Sequence, residues 1–115
     1  MSSKSNPPPL YLGEFELLVL LAVLRLDDEA YGVTIRDAIE AETSREVVLG
    51  AIYKTLGRLE DKGYVASRLS DPTRERGGRR KKLYRIEPVG SLALKQTIAD
   101  LRRLSRGLGR ALEAL

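Results

Sequence analysis

The sequence predicts a mainly α-helical fold with one small antiparallel β-hairpin. Apolar residues recur at helical spacing in three successive segments before residue 63. Two short β-compatible runs follow, separated by eleven residues that include Pro72, Gly77 and Gly78. After them, apolar residues alternate at spacings of four and three. With 115 residues, 43% hydrophobic and 31% charged, the chain has the composition of one small globular domain.

The chain divides into three predicted parts. Residues 1–9 are expected to form a disordered leader, because they include three consecutive prolines among small or polar residues. Residues 10–87 are predicted to form a domain of three helices and the hairpin. Residues 88–115 are predicted to form a C-terminal amphipathic dimerisation helix.

The first two predicted helices differ in how much of their surface is apolar. The first, from Glu14 to Leu26, is apolar on nearly every side, so we expect its own domain and a second subunit to cover it. The second follows Tyr31-Gly32 with Ile35, Ala38 and Ile39 at helical spacing, and Thr43-Ser44 closes it.

The third predicted helix, from about Leu49 to Lys62, has two distinct faces. One is the apolar stripe Leu49, Ile52, Leu56 and Leu59, and Gly63 ends the helix. The opposite face carries Gly50, Lys54, Gly57, Arg58 and Asp61, with Tyr53 on its flank. Two glycines on an exposed helix face cost about 1 kcal/mol each relative to alanine. Either something approaches this backbone closely or the cost is tolerated.

The hairpin and the last helix complete the fold. The two strands of the hairpin are predicted over Tyr64–Ser70 and Lys82–Glu87, and a long basic tip joins them. Pro88 suits the first position of the last helix, and Gly107 and Gly109 predict fraying after Ser105. The apolar seam of this helix is Leu94, Ile98, Leu101, Ser105, Leu108, Leu112 and Leu115.

The apolar seam of the last helix has two possible interpretations: the helix packs on its own domain, or it joins two subunits. Because the first helix also needs cover, we favour a homodimer. The predicted interface residues are Phe15, Leu18, Leu94, Ile98, Leu101, Leu104 and Leu108.

The residue types that are missing narrow the function. The chain has no His, no Cys and no Trp, so the usual bases, nucleophiles and zinc ligands are absent, and we expect neither an enzyme nor a metal or cofactor site. Its longest apolar run, Leu17–Leu24, is too short to cross a bilayer, and its N-terminus lacks the apolar core of a signal peptide. We therefore predict a cytoplasmic protein without a membrane partner.

Charge is distributed unevenly along the chain. Residues 1–66 carry 7 Lys+Arg and 11 Asp+Glu, a net charge of −4, whereas residues 67–115 carry 13 and 5, a net charge of +8. A polyanionic partner is expected.

The order of elements is typical of a winged helix-turn-helix fold, whose third helix enters the DNA major groove. The residues themselves then offer Lys54 and Arg58 on that helix and Arg79, Arg80, Lys81 and Lys82 at the hairpin tip.

Three motifs resemble those of PadR-type transcriptional regulators. They are Tyr31-Gly-Val-Thr-Ile, Gly50-Ala-Ile-Tyr53 followed by Leu56 and Arg58-Leu-Glu60, and Gly77-Gly-Arg-Arg-Lys-Lys-Leu-Tyr-Arg85. The resemblance runs from about Gly13 to Leu94. It implies a homodimeric winged-helix repressor of the short form, with a single dimerisation helix. Its two recognition helices would read a palindromic operator in double-stranded DNA.

The resemblance extends the set of DNA-contacting residues and shows departures. The full predicted set is Tyr31, Gly50, Tyr53, Lys54, Arg58, Arg76, Arg79, Arg80, Lys81 and Lys82. Tyr31 is equally well explained as a residue that packs within the protein. Tyr53 is equally well explained as a residue at the edge of the core. Val48-Leu49 stand where a Ser often caps the recognition helix, a loss of about 1 kcal/mol, and Glu87 replaces a common Thr. Some relatives bind aromatic effectors at the dimer centre, but with Phe15 and no Trp nothing here supports such a ligand.

Other functions stay open at this point. In the simplest interpretation the basic hairpin tip is a solvated loop. Lys54 and Arg58 can likewise be interpreted as ordinary surface charges. A winged helix can also serve as a protein interaction module that holds an acidic partner and reads no DNA sequence. RNA binding would favour exposed aromatic residues for base stacking, and Tyr84 is the aromatic residue within the basic strip.

Overall fold

The computed structural model describes residues 11–71 and 80–115, and within them the predicted fold is confirmed. It is mainly helical with a two-stranded antiparallel hairpin. The helices are α1 (Glu14–Leu26), α2 (Gly32–Glu42), α3 (Leu49–Asp61), α4 (Pro88–Ser105) and α5 (Gly109–Glu113), and the strands are β1 (Val65–Leu69) and β2 (Lys82–Ile86). A 3-10 turn, Asp27–Glu29, links α1 to α2. None of the helices described is both long and apolar enough to pass through a bilayer.

The core lies between the first three helices and is closed by the hairpin. The apolar stripe predicted on α3 is its centre, because Ile52, Leu56 and Leu59 are completely buried. The largest fully buried side chains are Val19, Leu20, Val23, Ile35, Ile52, Leu56 and Leu59. Burying each of them contributes about 1.5–3 kcal/mol. Four of the seven, Ile35, Ile52, Leu56 and Leu59, recur at the helical spacing seen in the sequence.

The hairpin has a third backbone neighbour that the sequence did not indicate. β1 and β2 pair in a register that sets Val65 opposite Ile86 and Leu69 opposite Lys82. On the other side of β2, the Tyr84 N–H donates a hydrogen bond of 2.8 Å to the carbonyl oxygen of Ala30. Ala30, two residues before α2 begins, therefore ties the hairpin to the helical core.

The start of α4 packs directly on the chain that leads into β1. A Cβ added at Gly90 would lie 2.1 Å from the carbonyl oxygen of Tyr64, so glycine is needed for this approach. The Glu87 N–H also donates to that oxygen at 2.9 Å. Pro88 occupies the first turn of α4, as predicted, since its missing N–H would lack a helical partner there anyway.

The last helix, predicted over residues 88–115, is divided in two after Ser105, where its glycines predicted fraying. α4 ends at Ser105, and α5 starts at Gly109 after a turn in which Gly107 has a φ of +79°. This left-handed conformation is open to glycine at little cost and ends a helix. The seam is divided as well, because Leu94 is buried in its own domain and Ile98 packs against the same core. Every residue from 101 to 115 is exposed.

Candidate nucleic-acid interface

The outer face of α3 is open, as its two glycines suggested. Gly50, Lys54, Gly57 and Arg58 are all exposed. A Cβ added at Gly50 or Gly57 would find no described atom within 4 Å beyond the helix's own backbone. The glycines thus leave a strip of helix backbone that another molecule can approach closely, with Lys54 beside it.

Tyr53 packs over the start of α2. A Cβ at Gly32 would lie only 2.4 Å from Tyr53 Oη and 2.6 Å from its Cε1, so the ring occupies the space that glycine leaves. The ring remains half-exposed. Tyr53 therefore belongs both to the packing between α2 and α3 and to the outer surface. The sequence motif contained Gly32 but gave no sign that Tyr53 was the reason for it.

We call the hairpin β1–β2, with the segment between its strands, the wing, and call Ser70, Arg80 and Lys81, where that segment leaves the strands, the base of the wing. Tyr31 joins the start of α2 to this base. Lys81 Nζ lies 4.4 Å from the centre of the Tyr31 ring and donates a hydrogen bond of 3.2 Å to Tyr31 Oη. Such a cation–π contact contributes about 0.5–1 kcal/mol at an exposed site. Ser70 and Lys81 also exchange hydrogen bonds at the last rung of the hairpin, Lys81 N–H to Ser70 Oγ at 2.8 Å and Ser70 N–H to Lys81 O at 2.7 Å.

The basic side chains of the wing are not equivalent. Arg80 and Lys81 are exposed at its base. Lys82 is partly engaged, since its Nζ lies 3.7 Å from Glu60 Oε1 and the other oxygen of Glu60 accepts a hydrogen bond of 2.7 Å from Ser67 Oγ. Two further residues of the predicted set, Arg76 and Arg79, lie outside the described residues.

Arg58 lies at the edge of an ion pair that the sequence did not reveal. Lys62 Nζ donates a hydrogen bond of 2.8 Å to Glu16 Oε2, and Arg58 Nε lies 3.9 Å from the same oxygen. The side chain of Glu16 is only 8% exposed. Burial raises the pKa of Glu16, but the hydrogen bonds from Lys62 and from the Gly13 N–H outweigh it, so its pKa falls below the ordinary value. Lys62 is thus the closer partner, and the Arg58 side chain keeps about half of its surface exposed.

The start of α3 departs from the usual capping pattern. Val48 is the N-cap residue, and within the described residues no side chain caps this end of the helix. Instead, Glu40 on α2 accepts a hydrogen bond of 2.8 Å from the Val47 N–H and holds the residue before the cap. The helix therefore begins at Leu49 although Val48 offers no hydroxyl to cap it.

These contacts make one continuous surface. They run from Tyr53 on α3 through Gly32 and Tyr31 at the start of α2 to Lys81 at the base of the wing. Lys54 and Arg58 lie on the same helix as Tyr53. Across residues 11–71 and 80–115, no group of three Cys, His, Asp or Glu side chains is placed to hold a metal ion.

Three helices followed by a two-stranded wing, with basic side chains on the third helix and at the wing base, define a winged helix-turn-helix protein. A family model described as "Transcriptional regulator PadR-like family" matches residues 20–96. The chain therefore belongs to the PadR-like family of transcriptional regulators, and the family resemblance seen in its motifs is confirmed.

Solved structures share the fold at low sequence identity. A PadR family transcription regulator from Clostridium difficile R20291 is 22% identical with a TM-score of 0.72, covering 87% of this chain and 99% of that one. A PadR family regulator from Eggerthella lenta is 24% identical with a TM-score of 0.64, covering 88% and 85%. PadR from Bacillus subtilis, solved in complex with operator DNA, is 18% identical with a TM-score of 0.60, covering 74% and 46%. No curated protein matches the chain.

Proposed function

We propose that this protein is a transcriptional repressor that binds a palindromic operator in double-stranded DNA as a homodimer. The observation that carries the proposal is the continuous surface from α3 through the start of α2 to the base of the wing. An operator would meet α3 in its major groove and the wing on its backbone, which is how winged helices dock. That PadR of Bacillus subtilis was solved with operator DNA supports the assignment for a family member.

Within α3, the residues divide into those that allow approach and those that bind. Gly50 and Gly57 leave the helix backbone uncovered, so the duplex can come close. Lys54 binds phosphate or a base acceptor, and Arg58 is long enough to form paired hydrogen bonds with a guanine edge. Arg58 has a weak competing partner in Glu16 at 3.9 Å, while Lys62 remains to neutralise that carboxylate when Arg58 turns to DNA.

The wing supplies positive charge whose contacts with DNA do not depend on the base sequence. Arg80 and Lys81 are exposed at its base, and the sequence adds Arg76 and Arg79 between the strands. Phosphate contacts of this kind position a protein on DNA and make its affinity strongly salt-dependent. The Tyr31–Lys81 contact fixes the wing base relative to α2, so wing and recognition helix would meet the duplex together.

A homodimer is supported by apolar side chains that one chain leaves uncovered. On α1, Leu21 and Leu24 are exposed. From residue 101 onward the exposed leucines are Leu101, Leu104, Leu108, Leu112 and Leu115. A second copy would bury these leucines at about 25 cal/mol per Å² and would set two α3 helices on one duplex. Of the predicted interface residues, Leu94 is buried within its own chain and has almost no surface left for a partner. Phe15, Leu18 and Ile98 are partly buried already and offer less surface.

The test is selection of bound duplexes from a random pool near physiological salt, with the mass of the protein measured in the same buffer. We expect an inverted repeat, with half-sites about one helical turn apart, bound by a dimer. Steep salt dependence, about 10³–10⁵ in affinity between 50 and 200 mM for 6–10 phosphate contacts, should accompany it. A folded protein that enriches no sequence and shows a shallow salt slope would instead indicate an interaction module.

Repeating the selection with Arg58→Ala tests the recognition helix directly. We expect relaxed preference at one or two base pairs in each half-site, a loss of about 1–3 kcal/mol in discrimination. Arg80→Ala is the matched control, because it removes an exposed guanidinium from the wing and should weaken all sequences alike. If Arg58→Ala left the selected sequence unchanged, α3 would not be the reader.

A further inference from the structure

The first turn of α3 presents hydrocarbon to whatever the helix meets. Residues 47–52 have apolar side chains or none, so no polar side chain lies there before Tyr53. Within this segment Val48, Gly50 and Ala51 are exposed, and Val48 is the most prominent at 75% exposure. A hydrocarbon patch thus occupies the end of a recognition helix that commonly carries hydrogen-bonding side chains.

The side chain of Val48 has no evident role in the fold. It lies outside the core, and as an N-cap residue it cannot accept the hydrogen bond that Ser, Thr, Asp or Asn would accept. Its position is nevertheless fixed, because Glu40 holds the N–H of Val47 and Val48 O accepts from the Ala51 N–H at 3.0 Å. An exposed side chain held in a defined place is suited to contact a partner.

The chemistry of the major groove limits what such a side chain can recognise. Base edges there offer hydrogen-bond donors and acceptors, and the C5 methyl of thymine is their apolar group. Valine and alanine form no hydrogen bonds through their side chains, whereas they pack well on a methyl. Because Gly50 has no Cβ between them, the duplex can approach this turn closely. The first cation along α3, Lys54, comes a full turn later.

On the basis of the proposed function, we propose that Val48, assisted by Ala51, is a specificity-determining residue that recognises a thymine methyl in each operator half-site. The inference defines the kind of base pair that the first turn of α3 selects. Removing Val48 beyond its Cβ should therefore relax preference for thymine at one position and leave the guanine contacts of the same half-site intact.

The test uses the operator obtained by selection, with each thymine replaced in turn by deoxyuridine, which removes the methyl group alone. We expect deoxyuridine at one position per half-site to weaken binding by the wild-type protein about threefold to tenfold. Val48→Ala should bind the thymine operator more weakly by a similar factor and respond no further to deoxyuridine at that position. Val89→Ala is the control, since Val89 is an exposed valine on α4 and loses the same two methyl groups.

The outcomes are distinct. A deoxyuridine effect that persists undiminished in Val48→Ala overturns the assignment, as does an operator in which no deoxyuridine weakens the wild type. Val48→Ser gives an independent check, because its hydroxyl can cap α3 and maintain the fold while lacking the methyl groups. Failure to select any operator would instead count against the proposed function, so the two failures are distinguishable.

Discussion

Glu16 is a buried carboxylate that links the beginning of α1 to the end of α3. One oxygen accepts the Gly13 N–H at 2.9 Å, and the other accepts Lys62 Nζ at 2.8 Å. Removing one partner of a buried, charged hydrogen bond leaves the other partner unsatisfied. The loss in folding free energy is then larger than the net contribution of the bond itself. The residue thereby caps its own helix and anchors the end of α3 at once.

Glu16→Gln should lower the free energy of unfolding by about 1–3 kcal/mol at neutral pH. Because the pKa of Glu16 is lowered in the folded state, its contribution is present above the pKa of the unfolded chain, about pH 4.3, and is lost as pH falls through the folded value. Urea unfolding from neutral to acid pH should therefore show the two proteins converging. Glu14→Gln is the control, since Glu14 lies in the same turn but is exposed. Parallel profiles for wild type and Glu16→Gln would contradict the ion-pair assignment.

Glycines within the helices have opposite consequences according to the space around them. Gly90 on α4 faces the Tyr64 carbonyl, where a Cβ cannot fit, whereas a Cβ at Gly57 on α3 would meet no neighbour among residues 11–71 and 80–115. Alanine is about 1 kcal/mol better than glycine in an exposed helix interior. The fold alone would thus favour alanine at 57, so the glycine there is better explained by the approach of a partner.

Gly57→Ala should raise the free energy of unfolding by up to about 1 kcal/mol and at the same time weaken operator binding. Gly90→Ala should lower the free energy of unfolding, because the added Cβ would collide with the backbone carbonyl of Tyr64. Urea unfolding and operator titration of the two variants separate the effects. Unchanged operator affinity in Gly57→Ala would mean that the glycine is tolerated and that DNA does not approach the backbone there.

The helices and strands could be predicted because their signals are local. Ile52, Leu56 and Leu59 recur with the helical period, and the same wheel placed Lys54 and Arg58 on the outer face. What joins the elements could not be predicted in this way. Glu16 and Lys62 are 46 residues apart in sequence, so no short-range pattern reveals their pair.

Three features at the ends of elements escaped the sequence for a similar reason. The apolar seam continues past Gly107 at the right spacing, yet the backbone turns there because Gly107 adopts a positive φ, which periodicity does not report. The Tyr53 ring over Gly32 and the Ala30–Tyr84 hydrogen bond arise from tertiary packing. Residue type did suggest Gly107 as a weak point, but the structure decides where the helix ends.

Across the described residues of the molecule, two exposed regions stand out. The basic surface at the wing and α3 is suited to a polyanion, while the last two helices expose leucines from residue 101 onward. Several exposed leucines within one short segment mark an interaction site. Dimerisation through it would also double the DNA surface, so one substitution there should change both assembly and operator binding.

Leu101→Asp should convert a dimer into a monomer of 12.8 kDa in sedimentation. Leu101 is 50% exposed in one chain, so the charge disrupts the contact between copies more than the fold. Leu92→Asp is the matched control, because Leu92 lies on the opposite face of α4 and is 56% exposed, and it should leave the mass unchanged. Operator affinity should fall steeply for Leu101→Asp alone, since a monomer engages one half-site and loses the effective concentration that its partner provides. If Leu101→Asp kept the mass of a dimer, the contact between copies would have to lie elsewhere, with the exposed leucines of α1 as the next site to substitute.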